Sequence, residues 1–351
     1  KDGTGNAVGQ VLKSLRDRDV LPLRADDAAT PYLIKIAGFL FGDGTLYFSG
    51  DRGKGTAWFY GEPGDLETIR ADVEAAGFTP SRIYRRDRNH SIETPYDHYD
   101  FERTETSFKV VSTSFAAVMM ALGVPVGDKA RQDYEMPDWL KEAPKWHQRL
   151  FLAPLFGAEL STPSTLTDNG RNFYAPALSL SKREAFAESG RRFLEDLASL
   201  LRRFGVEPKD VTEVAPANGS DDRVRLRLLL SSRTESLLAL WSRVGFEYNQ
   251  KRSALAMAAV EYLKQKRRAR ARRRTAAERA KTLHNAGTAP STVYSELEST
   301  HVNRRFLERS LYGERQTDVR IGASFPTFDH FREEALSGLE LSGMVWSTVD
   351  S

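Results

Sequence analysis

Two acidic residues stand at the end of similar apolar segments, where they contribute least to packing. Residues 36–44 read IAGFLFGDG, an apolar run at helical spacing that closes on Asp43 between two glycines. Residues 152–160 read LAPLFGAEL and place Glu159 at the matching position. Paired carboxylates are oxygen ligands of the kind that hard divalent cations such as Mg²⁺ prefer. Asp43 and Glu159 are therefore the first candidates for chemistry in this chain.

A lysine follows each acid at a similar distance. One apolar helical pattern stops at Gly123 and another stops at Gly245, and glycine favours the left-handed backbone that ends many helices. A lysine comes six residues after each of these glycines, and the two lysines, Lys129 and Lys251, lie 86 and 92 residues beyond their acids. Between each acid and its lysine, a further amphipathic pattern, over 66–77 in one case and 193–205 in the other, also ends at a glycine. Three landmarks in the same order at similar spacing predict an internal duplication.

Composition narrows the class of protein. The chain has 351 residues, of which 40% are hydrophobic and 28% charged, as expected for a globular protein of two or three domains. It has no cysteine, which excludes disulfides and thiolate metal sites. No apolar run reaches the roughly 18 residues that a membrane span needs. We expect an intracellular, cytoplasmic protein.

Basic character is local. The stretch Lys264–Arg274 holds eight Lys or Arg and no acid, so the rest of the chain carries 3 − 8 = −5. Such a run is either a solvated segment or a contact for a polyanion. Period-2 alternation in the strand patterns places two further basic sets on sheet faces, where guanidinium groups can reach bases and phosphates. These sets are Arg82, Tyr84 and Arg86 in the first half, and Arg223, Arg225 and Arg227 in the second.

With its two acid-ending segments, the sequence resembles the LAGLIDADG homing endonucleases in their single-chain, two-motif form, and it is most similar to intein-encoded members. The segment ending at Asp43 is a good copy of the family motif and that ending at Glu159 a degraded one, with Pro154 and Leu160 where the family has glycine. The resemblance implies an α+β fold, a pseudo-twofold duplicated αββαββα arrangement with saddle-shaped antiparallel sheets. The expected segments are 1–30 (helix and linker), 31–140 and 141–263 (two halves), 264–275 (basic linker) and 276–351 (helix-turn-helix domain and tail).

The resemblance also implies a function. It predicts a site-specific endonuclease that acts as a monomer and makes a double-strand break in a long duplex DNA by Mg²⁺-dependent hydrolysis. Asp43 and Glu159 would be the metal ligands, and Lys129 and Lys251 would assist as the family's peripheral basic residues. Ca²⁺ is expected to support binding only.

The C-terminal region reads as three short helices, ending near Ala286, Glu298 and Leu311. Their apolar residues are spaced to form a small shared core, which resembles a helix-turn-helix module whose last helix enters the major groove. The expected DNA contacts are Arg304, Arg305 and Arg309 on that helix, with Arg270 and Arg272 in the basic stretch.

Two other functions fit parts of the pattern. A non-cleaving transcription regulator with a degenerate two-motif core and a C-terminal helix-turn-helix would explain the degraded second motif. An RNA-splicing maturase on the same scaffold would prefer structured RNA to duplex DNA. An acid in both motifs and a lysine in both repeats favour the endonuclease.

Overall fold

A computed structural model describes residues 6–50, 53–93, 98–214, 222–313, 321, 325–339 and 344–346. It has mixed helices and antiparallel sheets. The chain divides into two compact units. The first unit comprises Lys1–Thr162, Ala175–Ser231 and Arg243–Ser253, and the second comprises Pro163–Tyr174, Ser232–Ser242 and Ala254–Ser351.

Helices and strands alternate along the described residues. The helices are α1 (Asn6–Arg16), α2 (Thr30–Phe41), α3 (Pro63–Ala75), α4 (Thr113–Ala121), α5 (Asp138–Glu142), α6 (Lys145–Glu159), α7 (Ala187–Arg203), α8 (Thr234–Ala239), α9 (Gln250–Asn285), α10 (Pro290–Leu297), α11 (Arg304–Tyr312) and α12 (Phe328–Leu336). The strands are β1 (Thr45–Phe48), β2 (Gly55–Tyr60), β3 (Tyr84–Glu93), β4 (His98–Val111), β5 (Thr165–Leu166), β6 (Asn169–Phe173), β7 (Ala177–Arg183), β8 (Pro208–Val214) and β9 (Arg223–Leu230).

Two antiparallel sheets lie in the first unit. One has the order β1-β2-β4-β3, and the other has the order β7-β9-β8. Helices α3 and α4 pack against the four-stranded sheet and α7 against the three-stranded sheet, so one face of each sheet is covered. The covered face carries side chains such as Phe59 and Phe108, which are fully buried and stack with their ring centroids 4.6 Å apart. In the four-stranded sheet, alternation places Trp58, Tyr60 and Lys109 on the opposite face.

The order α2-β1-β2-α3-β3-β4-α4 matches the predicted αββαββα half. The second stretch, from α6 to α8, departs from it, because β5 pairs only with β6 in a separate two-stranded sheet within the second unit. Pro154 lies inside α6, and the helix continues through it to Glu159.

The second unit is built on the long helix α9. Residues 264–275, which the sequence analysis treats as a linker, are helical and lie in its middle. Alanine and arginine are good helix formers, and Lys266, Ala269 and Arg273 are buried, so this part of the helix has a packed side. Towards its end, α9 packs with α10 and α11 around a small core formed by Ala280, Val293, Tyr294, Val302, Phe306 and Leu307. Among the described residues no helix is long and apolar enough to cross a membrane.

Candidate functional site

The two acid-ending helices, α2 and α6, pack closely in the first unit. A β-carbon on Gly38 would overlap the backbone carbonyl of Phe151, and one on Gly42 would lie 2.6 Å from the Ala158 β-carbon. Only glycine allows the helices to approach this closely at these positions. Gly157 of α6 does not face α2, since a β-carbon there would overlap the backbone carbonyl of Glu247.

This packing brings the two acids together. Asp43 comes directly after Gly42, the C-cap of α2, and Glu159 is the last residue of α6. Asp43 is exposed on one side, but loss of hydration on its protein-facing sides raises its pKa. Partial burial raises the pKa of Glu159, and the charge of Asp43 raises it further. Helix C-termini carry partial negative charge, so two carboxylates here are electrostatically unfavourable unless cations compensate them.

Lys129 compensates the end of α2. It opens a short 3₁₀ helix, Lys129–Arg131, and its Nζ donates hydrogen bonds to the carbonyls of Phe41, at 3.2 Å, and Gly42. Burial lowers the pKa of Lys129 to about 8, although the negative charges of Glu159 and Asp43 act in the opposite direction. Lys129 therefore lies beside both acids, and its part in the chemistry stays a prediction.

Arg252 compensates the end of α6, and sequence analysis did not identify it. Its Nη1 donates to the carbonyls of Gly157 at 2.7 Å and Ala158 at 3.0 Å. Asp43 and Glu159 both stabilise its charge, which opposes the lowering of its pKa by burial. The predicted residue Lys251 is exposed at the start of α9, and its charge acts on Asp65, whereas the cations that act on the two acids are Lys129 and Arg252. The repeat spacing therefore predicted the correct helical turn but the wrong residue, Lys251, which directly precedes Arg252.

A buried network fixes the segment that carries Arg252. Lys35 on α2 forms ion pairs with Asp72 at 2.5 Å and with Glu247 at 3.2 Å. The Tyr248 hydroxyl donates to Asp72 at 2.5 Å, and Asn249 donates through Nδ2 to the Gly157 carbonyl at 3.0 Å. The segment is therefore held on α2, α3 and α6 before α9 begins.

The exposed face of the four-stranded sheet is aromatic and basic. The predicted residues Arg82, Tyr84 and Arg86 are exposed at its β3 edge. The structure adds residues that sequence analysis missed. Trp58 stacks on Tyr60 with centroids 6.1 Å apart, and the Lys109 ammonium lies 5.1 Å from the Trp58 ring. Cross-strand register explains this grouping, because Trp58 pairs with Lys109.

The other predicted basic residues are also exposed. On β9, Arg223, Arg225 and Arg227 point away from the buried Leu226 and Leu228, as the alternation predicted. In the second unit the exposed basic residues are Arg270 and Arg272 on α9 and Arg304, Arg305 and Arg309 on α11. Whether any of these residues binds nucleic acid stays a prediction.

Asp43 and Glu159 offer oxygen donors of the kind that Mg²⁺ takes, and their role as metal ligands stays a prediction. Among the residues that the structure describes, no three His, Cys, Asp or Glu side chains could enclose a metal. Mg²⁺ keeps several waters and takes one or two carboxylates together with substrate phosphates. Asp43 and Glu159 meet that requirement with oxygen ligands alone.

No protein-family model matches the sequence. Curated relatives include tRNA-splicing ligase RtcB of Methanopyrus kandleri, 37% identical over 328 residues, and that of Methanocaldococcus jannaschii, 35% identical over 333 residues. Each alignment covers 93% of this chain but only 32% and 33% of the relative, so the chain spans about a third of their length. A DNA-directed RNA polymerase subunit Rpo1N of Methanocaldococcus jannaschii is 30% identical over 264 residues, which are 74% of this chain and 19% of that protein.

The solved structures that resemble the chain include two DNA-bound nucleases with low TM-scores. The homing endonuclease I-WcaI bound to its DNA recognition sequence gives 0.39 at 9% identity, over 70% of this chain and 89% of that one. The LAGLIDADG meganuclease I-AabMI bound to uncleaved DNA gives 0.34 at 10% identity, over 67% and 92%.

The relatives correct the predicted function. The sequence analysis predicts a site-specific homing endonuclease, but relatives 35–37% identical over most of the chain are named for tRNA splicing and ligation. This finding contradicts the endonuclease function, together with its intein-type and hydrolase assignments. The physical reason is that paired carboxylates and a nearby lysine serve phosphodiester chemistry in either direction, so their spacing alone does not define the reaction.

Proposed function

We propose that this chain is a nucleic-acid-binding enzyme module that performs phosphodiester chemistry at Asp43 and Glu159 and is carried within larger proteins. The clustering of two acids with Lys129 and Arg252 is the observation that carries the proposal. The relatives support the modular part, because similar segments occur in proteins named as a ligase and as a polymerase subunit. Those names share only the handling of nucleic acids.

The residues of the centre would divide the work. Asp43 and Glu159 would hold a divalent cation such as Mg²⁺, which supplies charge stabilisation at a phosphoryl group when bound. Lys129 and Arg252 neutralise the ends of α2 and α6, and their positive charges oppose the rise that burial causes in the pKa of each acid. Lys129 can also donate a hydrogen bond to a developing negative oxygen, provided that it keeps its proton.

Two sheet faces of different chemistry would bind the substrate. The aromatic face around Trp58, Tyr60 and Lys109 offers rings on which bases stack, at about 1–3 kcal/mol per base. The arginine face of β9 offers guanidinium groups to phosphates. A single copy of the chain supplies both acids, so we propose that a monomer suffices.

The proposal also includes an internal duplication and a helix-turn-helix module. The stretches α2 to α4 and α6 to α8 would be two copies of one unit, which have diverged at β5 and β6. Helices α9, α10 and α11 would form a helix-turn-helix module, because they share a core and leave the arginines of α11 exposed. Duplex DNA is its expected partner.

A role in RNA ligation is the second candidate. It is favoured by the identity to tRNA-splicing ligases over 93% of this chain. In that case the same centre would join two RNA ends by attack of a 5′-hydroxyl oxygen on a terminal 2′,3′-cyclic phosphate. The P–O5′ bond would form as the P–O2′ bond breaks, and the proton of the 5′-hydroxyl would pass to the released 2′-oxygen.

One assay separates these outcomes. The full chain is incubated in Mg²⁺ with end-labelled tRNA halves, intact RNA and duplex DNA, and the products are resolved by length. We expect one substrate to be converted by the wild type and not by Asp43→Asn. Longer products from tRNA halves would select ligation. Binding of these nucleic acids with no backbone change in any of them would contradict the proposed enzyme.

A further inference from the structure

A second lysine lies behind the centre and takes no part in the chemistry described above. Lys182 is on β7 and is fully buried. Lysine is almost never fully buried unless its ammonium is paired, because removing the charge from water is costly. Such a residue needs a structural or functional reason.

The partners of Lys182 all belong to the segment that carries Lys129. Its Nζ donates to the carbonyl of Lys129 itself at 2.9 Å and to that of Gln132 at 2.7 Å. The same ammonium lies 3.7 Å from the centre of the Tyr134 ring. Lys182 therefore fastens both ends of the short 3₁₀ turn from which Lys129 reaches α2.

The surroundings restrain the side chain. Gly190 of α7 covers its stem, since a β-carbon there would lie 2.9 Å from the Lys182 Cγ. Desolvation lowers the pKa of Lys182 to about 8, against the opposing charges of Asp133 and Asp128. The ammonium is thus held by carbonyls and a ring, with no carboxylate in a direct ion pair among the contacts described.

We infer that Lys182 is a positioning residue: it holds the Lys129–Gln132 turn so that the Lys129 ammonium stays at the end of α2, beside Asp43 and Glu159. The chain of contacts runs from Lys182 to the Lys129 backbone, and from the Lys129 side chain to the carbonyls of Phe41 and Gly42. The effect on turnover rests on the proposed function, whereas the effect on Lys129 does not.

The chain supplies a matched control. Lys266 in the second unit is also buried, and its Nζ donates to the Arg171 carbonyl and to Asn172 Oδ1 at 2.9 Å. Burial lowers its pKa to about 8 as well. Lys182→Met and Lys266→Met remove the same buried group, but only the first lies behind Lys129.

The first experiment measures Lys129 directly and needs no substrate. The folded full-length variants are treated with an amine-acylating reagent, and modification of Lys129 is followed by mass spectrometry. We expect Lys182→Met to raise the rate at Lys129 several-fold, and Lys266→Met to leave it at the wild-type value. An unchanged rate in folded Lys182→Met, or an equal rise in both variants, would overturn the inference.

The second experiment uses turnover of the substrate found active in the preceding assay. Loss of a positioning residue behind a reacting group commonly lowers activity by about 10- to 100-fold. We expect Lys182→Met to lower kcat by that factor with little change in KM, to change the alkaline limb of the pH profile, and to be rescued in part by Lys182→Arg. If Lys182→Met does not fold, Lys182→Gln takes its place. A wild type without activity would refute the proposed function but leave the acylation test intact.

Discussion

The ends of α2 and α6 meet the same electrostatic requirement by different means. Each helix ends beside a carboxylate, and each has a cation bonded to its last carbonyls. At α2 the cation is Lys129, on a separate turn that Lys182 fastens. At α6 it is Arg252, on the first turn of α9 behind the Lys35 network.

This difference makes the centre asymmetric. The pKa of Lys129 is lowered to about 8, so its charge disappears within an accessible range of pH. Arginine keeps its proton at all such values. One side of the centre is therefore sensitive to alkali, and the other is not.

The largest effect is expected from removing the acids. Asp43→Asn or Glu159→Gln should lower turnover by about 100- to 1,000-fold, because each would remove a ligand of the divalent cation that stabilises charge at the reacting phosphate. The rate of backbone conversion in Mg²⁺ measures this. Asp26→Asn, at an exposed acid of the first unit, is the control, and an equal loss there would show that net charge and not the centre is responsible.

A methyl group added where α2 and α6 touch should destabilise the fold that brings the two helix ends together. Gly38→Ala places a methyl group on the Phe151 carbonyl, so we expect a loss of about 1–3 kcal/mol or more in the free energy of unfolding. Denaturant unfolding measures it. Gly9→Ala on α1 is the control, since nothing lies within 4 Å of its added methyl. A gain of up to about 1 kcal/mol is expected there. Equal losses would contradict the close helix contact.

The alkaline limb of the pH profile tests the asymmetry. As pH rises through about 8, Lys129 loses its proton and the wild-type rate should fall. Lys129→Arg should move that fall to higher pH, because the guanidinium stays charged. Arg252→Lys should add a second fall in the rate at alkaline pH, because burial at this position would lower the pKa of the new lysine as it lowers that of Lys129. A profile of identical shape in all three proteins would remove Lys129 as the titrating group.

The smallest effect on turnover is expected from the neighbouring residues Lys251 and Arg252, whose alanine variants should differ. Lys251→Ala removes an exposed charge, whereas Arg252→Ala leaves three carbonyls of α6 without their cation. Turnover should fall much more in Arg252→Ala than in Lys251→Ala. The reverse order would restore Lys251 to the site that the sequence analysis gave it.

Sequence reasoning identified the features that depend on local pattern. The acids at 43 and 159 were visible because an acid interrupts an apolar run, and the alternation on β9 was visible because it has period 2. Arg252 was not visible, because its role depends on how Glu247 and Asn249 hold the chain against α6. Lys182 was missed for the same reason. A lysine in a strand pattern is usually a surface residue, and its burial here depends on contacts with the distant Lys129–Gln132 turn. The basic run at 264–275 read as a linker because its buried side depends on contacts from distant residues.

The most direct test of the account is a double-mutant cycle on the two acids. The rate of backbone conversion is measured for Asp43→Asn, Glu159→Gln and the double variant under saturating Mg²⁺ and substrate. Residues that act as one unit are strongly non-additive. If Asp43 and Glu159 form one centre, the double variant will be little worse than either single variant. Losses that multiply would show two independent sites and contradict the account.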